Sequence, residues 1–475
     1  MNKTIKLGLS LALAFFLSAC AMVGPDYHPP TAKAPAAWHA GLAGGLHPGP
    51  ANPRTLARWW TVFHDPLLME LENKALRGSL DLKTARSRVR EARALMGVSR
   101  AGLFPEVNSS LSAIKSRSSR GGESNLYNAG FDAGWELDIF GGRRRAVEAA
   151  TADLNARRDA LRDVMVSLTA EVGINYIDLR TYQARLKAAR ANLATQKESY
   201  QLNKSRYQAG LIDELALEQS RANMELTRSR IPDLETGIIR VMNRLAVLLG
   251  QRPGSLDAKL AAPAPVPSAP AAIMVGVPAE TLRRRPDIHQ AEQELAAQTA
   301  RIGVAKAALY PKFQLNGSIG LESLRLENLP EWASRTFQLG PTISWNIFDA
   351  GAIRRRIAVE NARQEQALIH YQATVLSAVE EVENTLTAYV KAETSNHSLT
   401  QAVKAAARAE QAARDRYQAG LTDFSNVLDT QRTLLSLDDK LAQSTGAVTS
   451  DLIRLYKALG GGWTAVSTKQ KAAVK

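Results

Sequence analysis

The chain has 475 residues, only 6% aromatics and a formal net charge of +14, a composition that suits long helices rather than a compact sandwich. The basic balance raises nucleic acid as a partner, and the N-terminus, read below, speaks against it. The seven histidines (His28, His39, His47, His64, His289, His370 and His397) make no metal-binding spacing, and no G-x-S-x-G, Walker A or Rossmann fingerprint appears, so neither an enzyme nor a cofactor is expected.

Residues 1–19 read as a secretory signal, with Lys3 and Lys6 ahead of an apolar run from Leu7 to Leu17. That run is too short to span a bilayer. Leu17-Ser18-Ala19-Cys20 then resembles the lipobox of bacterial lipoproteins, in which the Cys carries a diacylglycerol and an N-acyl chain. The competing reading is an ordinary signal with an incidental Cys. Cys20 is the sole cysteine, so no disulfide forms, and lipidation would consume an otherwise odd free thiol. By the same resemblance an Asp after the Cys favours inner-membrane retention, so Ala21 permits sorting to the outer membrane. No other stretch reaches 18 apolar residues. Any membrane crossing must therefore use strands closed into a barrel.

Internal repetition comes next. Asp81, Gly97-Val98 and Pro105 return 206 residues later as Asp287, Gly303-Val304 and Pro311. Trp135, Tyr207-Gln208-Ala209-Gly210-Leu211 and Leu249-Gly250 return 210 residues later as Trp345, Tyr417-Gln418-Ala419-Gly420-Leu421 and Leu459-Gly460. Four residues are thus inserted between Pro311 and Trp345, and insertions collect in loops. The layout reads as signal 1–19, lipidated N-terminus and equatorial segment 20–78, first repeat 79–250, Pro/Ala-rich linker 251–278, second repeat 279–460 and tail 461–475. Each repeat holds a helix, a strand hairpin (107–140 or 312–348) and a long helical hairpin (143–249 or 353–459).

The first helices, 80–102 and 286–308, stop at Phe104-Pro105 and Tyr310-Pro311. In the hairpins Phe131, Ala133, Trp135, Leu137 and Ile139 alternate with Asp132, Gly134, Glu136 and Asp138, and Phe337, Leu339, Pro341, Ile343, Trp345 and Ile347 alternate with polar residues and Gly340. Period 2 with one apolar face is a strand signature, and runs of about 10 residues fit membrane-spanning strands. A soluble half-buried hairpin is the competing reading. Pro341 predicts a bulge or strand end. The long helices contain no Pro and only Gly173, and Gly210 and Gly420 end them. Their partners span 212–249 and 422–459, the first with a kink at Pro232. Four strands cannot close a barrel, since about eight are needed, so the chain must assemble. Three copies give twelve strands, although arithmetic alone does not choose trimer over dimer.

The chain is similar to the TolC-like outer-membrane factors, in particular the NodT-family efflux lipoproteins. The motifs that carry this are the lipobox, Val23-Gly24-Pro25-Asp26-Tyr27, Trp59-Trp60 with Phe63 and Asp65-Pro66-Leu67, the pairs around Trp135–Arg143 and Trp345–Gly351, the two Tyr-Gln-Ala-Gly turns, and Leu455 through Trp463. The resemblance implies a mainly α, internally duplicated fold, a homotrimer with a twelve-stranded β-barrel on a long α-helical barrel. It also implies a passive exit duct for small molecules such as drugs and toxic compounds. A periplasmic adaptor and an inner-membrane transporter, of the resistance-nodulation-division type in this branch, would be its partners. A type I protein-secretion duct and a periplasmic coiled-coil scaffold lipoprotein are the alternatives.

Three sets of site residues follow. The turns at Ala209, Gly210, Leu211 and Ala419, Gly420, Leu421 would dock the adaptor, or the glycines merely permit tight turns. By resemblance Ser425, Asp429 and Arg432 would form a periplasmic gate. Asp429 and Arg432 stand at i and i+3 on one helix face, and the alternative is a solvated surface pair of little weight. Asp132, Glu136 and Asp138, on the polar strand face, would line the barrel lumen and favour cations.

Overall fold

The structure, a computed structural model, describes residues 22–30, 35–50, 52–117, 119, 122–270 and 272–463. The expected lipidation site Cys20 lies outside them. Among the described residues no helix is long and apolar enough to cross a membrane.

Helix α1 (Pro66–Gly78) begins where Asp65 Oδ1 accepts the amides of Leu67 and Leu68, both at 2.9 Å, with Pro66 at the first helical position, a standard start signal. Helix α2 (Leu80–Ala101) leads into strands β1 (Glu106–Arg117) and β2 (Glu123–Leu137), then helices α3 (Gly142–Gln208) and α4 (Glu214–Leu248). The second copy repeats the series as α5 (Pro286–Ala307), β3 (Lys312–Ser323), β4 (Arg335–Ser344), α6 (Ala352–Gln418) and α7 (Phe424–Ala458). The long helices α3 and α6 have 67 residues each, about 100 Å at 1.5 Å per residue.

The helix ends explain the Gly spacing. Gly210, Gly250, Gly420 and Gly460 all have φ between +70° and +74°, a left-handed turn that Gly adopts without Cβ strain. Each is followed by an amide that bonds back five residues, Leu211 to Arg206, Gln251 to Ala246, Leu421 to Arg416 and Gly461 to Tyr456. Helix α4 continues through Pro232 as one helix.

The four strands form one antiparallel sheet in the order β1-β2-β3-β4. The β3–β4 pairing runs without a break from Lys312↔Ser344 to Leu321↔Arg335, and Leu315 faces Pro341. Pro341 therefore sits inside the strand, with neither bulge nor strand end. Strand β4 is at the edge of the sheet formed by one chain, and the pairing with β3 stays in register past the missing N–H. The extra residues of the second copy lie after Ser323, where the connection to β4 contains short 3-10 turns at Leu326–Asn328 and Trp332–Ser334.

Compactness divides the chain differently from the repeat. One unit takes residues from 1–32, 87–159 and 288–374, and the other from 33–86, 160–287 and 375–475. Each draws on both copies. In the second unit Trp59 is fully buried, edge-on to Trp60 and stacked on Tyr456 at 6.0 Å. Gly173 lets it in, since a Cβ there would lie 2.5 Å from the indole. Val172, Ile177, Leu179, Leu245, Val382, Leu386, Leu452 and Ile453 complete this core. The segment expected to be an extended linker is packed in the same unit. It holds a short helix, Asp257–Leu260, and a strand pair, Ile273–Met274 parallel to Leu46–His47. Gln183 donates to the Leu260 carbonyl and Thr449 to that of Pro267.

Candidate functional site

The register makes the sheet two-faced. Asn108, Asp132, Ser318 and Gln338 stand opposite one another across the four strands, and one residue along each strand stand Ser109, Phe131, Ile319 and Phe337. Directly opposed residues share a face, so one face is polar and the other apolar. The apolar face is uncovered. Phe131 is 58% exposed, Ile319 62%, Phe337 75% and Leu339 62%. Such a continuous exposed apolar surface demands a non-aqueous neighbour.

At one end of the sheet each copy repeats a single bond. Trp135 Nε1 donates to the Leu103 carbonyl and Trp345 Nε1 to the Leu309 carbonyl, both at 3.0 Å. Phe140, just past β2, stacks on Tyr310, just before β3, at 4.5 Å. Here the expected lumen residues part company. Asp132 lies on the polar face and accepts from Ser110. Glu136 shares that face and is engaged by Arg143 at 2.7 Å. Asp138 lies beyond the end of β2 and caps α3, accepting the amides of Arg143 and Arg144 at 3.0 and 2.8 Å. Its charge is spent on the positive end of the helix and on Arg144, which corrects its assignment to the strand's lumen face. Asp349 does the same for α6 through the amides of Gly351 and Ile353.

At the C-terminal ends of α3 and α6 the turns are open. Ala209, Gly210, Leu211, Ala419, Gly420 and Leu421 are all exposed, with Leu211 at 73% and Leu421 at 69%. A Cβ at Gly210 or Gly420 would meet nothing, so those glycines serve backbone conformation. Two small residues and an exposed leucine at each turn form a matched pair of compact apolar tips. Beside them the Tyr417 hydroxyl donates to Asn203 Oδ1 at 2.8 Å, and Tyr417 packs on Phe424.

Ser425, Asp429 and Arg432 are brought together on the exposed side of α7. The pair does not close on itself, because Arg432 Nε donates instead to Asn223 Oδ1 on α4 at 3.2 Å. Around this contact lies a buried polar seam that no motif announced. Asn203, Asn223, Thr227 and Gln431 are all at most 5% exposed. The side-chain nitrogens of Asn203 and Asn223 and the side-chain oxygen of Gln431 lack a partner among the described residues. Buried polar groups left open cost stability in the packed state, so this seam separates more cheaply than an apolar one.

A sheet with one uncovered apolar face and two unpaired edges, in a chain with helices of 67 residues, is that of a channel-forming protein that meets lipid through strands. The model of the outer membrane efflux protein family matches residues 71–251 and 277–461, and the chain belongs to that family. It is 31% identical to the toluene efflux pump outer membrane protein TtgF of Pseudomonas putida, across 98% of both chains. It is 30% identical to nodulation protein T of Rhizobium leguminosarum, across 96% of this chain and 97% of the relative. Among solved structures, the outer-membrane channel OprN superposes with a TM-score of 0.87 at 37% identity, covering 93% of this chain and all of that one. The chain is thus an outer-membrane channel component of an efflux system.

Proposed function

We propose that the chain is the passive exit duct of a tripartite pump, a homotrimer whose twelve strands close in the outer membrane. The observation that carries this is the two-faced sheet. Four strands with free edges cannot close a barrel, so the polar face becomes a lumen and the apolar face a lipid contact only when copies join around an axis. Cys20 carries the lipid that assists sorting and assembly. Asp132 and Glu136 line the lumen. Ala209, Gly210, Leu211, Ala419, Gly420 and Leu421 dock a periplasmic adaptor, and Ser425, Asp429 and Arg432 narrow the periplasmic entrance. An inner-membrane transporter of the resistance-nodulation-division type supplies the energy. The relative named for toluene efflux supports small apolar molecules as the cargo. No chemistry on the cargo is required of this chain.

The test is reconstitution. Purified protein in a planar bilayer should give discrete channels and run on a gel as an oligomer that heat converts to monomer. A monomer that opens no channels would end this reading.

A further inference from the structure

Arg145 stands in the first turn of α3, and its side chain is only 2% exposed. A guanidinium taken out of water needs its charge matched and its donors filled. Nη2 meets Asp26 Oδ1 at 2.6 Å, Nη1 meets Glu148 Oε2 at 2.8 Å, and Nε donates to the Val23 carbonyl at 3.3 Å. Two of those three partners belong to the N-terminal segment. The backbone holds the same segment, since the Val23 amide donates to the Phe140 carbonyl at 3.1 Å. So does close fit. A Cβ on Gly24 would lie 2.5 Å from Gly303 Cα, and one on Gly141 would lie 2.6 Å from Met22 Cγ.

Met22 to Asp26 are therefore seated against the junction between β2 and α3, beside the end of the sheet where Trp135 binds. Among the described residues the second copy has no such seat. Arg355, 210 residues on, is exposed. We infer that Arg145 keys a latch that fixes the lipid anchor's point of attachment to the base of the first strand hairpin. The inference rests on the reading of Cys20 as lipidated. Only Ala21 lies between Cys20 and Met22, and those two residue steps reach at most about 7 Å. A lipid on Cys20 then enters its leaflet next to the sheet, with no slack in the tether. Lipid and sheet settle in the bilayer at one fixed relative depth. Arg145 is a positioning residue in this scheme.

Two variants of the full-length protein in cells test it. Arg145→Met removes the charge and keeps the chain length. Inserting Gly-Ser-Gly-Ser between Ala21 and Met22 leaves the junction intact and slackens the tether. Both should still take up labelled palmitate, and both should lose several-fold of the heat-modifiable oligomer in the outer membrane. In Arg145→Met alone, residues 22–30 should become open to protease. Wild-type assembly by either variant overturns the latch, and the insertion covers the case where Arg145→Met fails to fold. An unlabelled wild-type protein would instead overturn the lipidation reading, and the inference with it.

Discussion

Arg432 on α7 reaches Asn223 on α4, Nε to Oδ1, at 3.2 Å. This ties the second helical hairpin to the first, through a residue whose first-copy equivalent is Ala222. A hydrogen bond from a charged donor is worth about 1.5–3 kcal/mol. If this contact holds the entrance narrow, Asp429→Ala with Arg432→Ala should raise single-channel conductance. Asn223→Ala alone should do so in part, and unchanged conductance in both would remove these residues from the gate.

Glu72 lies on the core stripe of α1 with Leu68, Leu71 and Ala75, fully buried. Neither carboxyl oxygen has a partner among the described residues. Burial pushes this carboxyl well above the usual range, so folding favours its protonated form. The folded pKa exceeds the unfolded one. Stability is therefore full below the unfolded carboxyl range and falls as pH rises from there through the raised folded value. Glu72→Leu should stabilise by about 1–3 kcal/mol. Its Tm in detergent should rise, and the fall across that pH interval should flatten. An unaltered pH slope would refute the assignment.

Asp132 stands on the polar strand face with Ser110 as its partner, whereas Asp138 is bound to α3 and Arg144. Cation preference should therefore drop in Asp132→Asn, read as a shift in reversal potential. Asp138→Asn should leave selectivity alone and lower thermal stability by about 1 kcal/mol, the usual cost of a weakened helix cap. The reverse pattern would put the lumen charge at 138.

Trp135 and Trp345 each make one bond to the carbonyl that follows a helix. Replacing either with Phe removes about 1 kcal/mol and keeps the ring apolar. The temperature at which the oligomer dissociates on a gel should fall by similar amounts in the two variants. A drop in one only would mean the copies no longer share the role.

Much of this was legible because local chemistry sets it. Gly210 and Gly420 mark helix ends through a conformation that other residues resist, and Phe131-to-Leu137 alternation marks a strand through the pleat. Where the determinant is remote in sequence, the local pattern misleads. Pro341 predicts a break in its strand, yet the pairing with β3 runs through it. Asp138 continues the alternation of β2, and only the helix start after it turns its carboxylate to capping. Asn223 and Glu72 carry no spacing signal at all. Their roles come from what packs against them across the chain.

The core around Trp59 takes Gly173 from the first copy and Ile453 and Tyr456 from the second. The segment between the copies is threaded into the same unit. A break anywhere in residues 251–278 would leave each fragment with half a core and an apolar wound. Neither copy holds a complete core by itself, so the duplicated chain folds as one piece rather than as two separable halves.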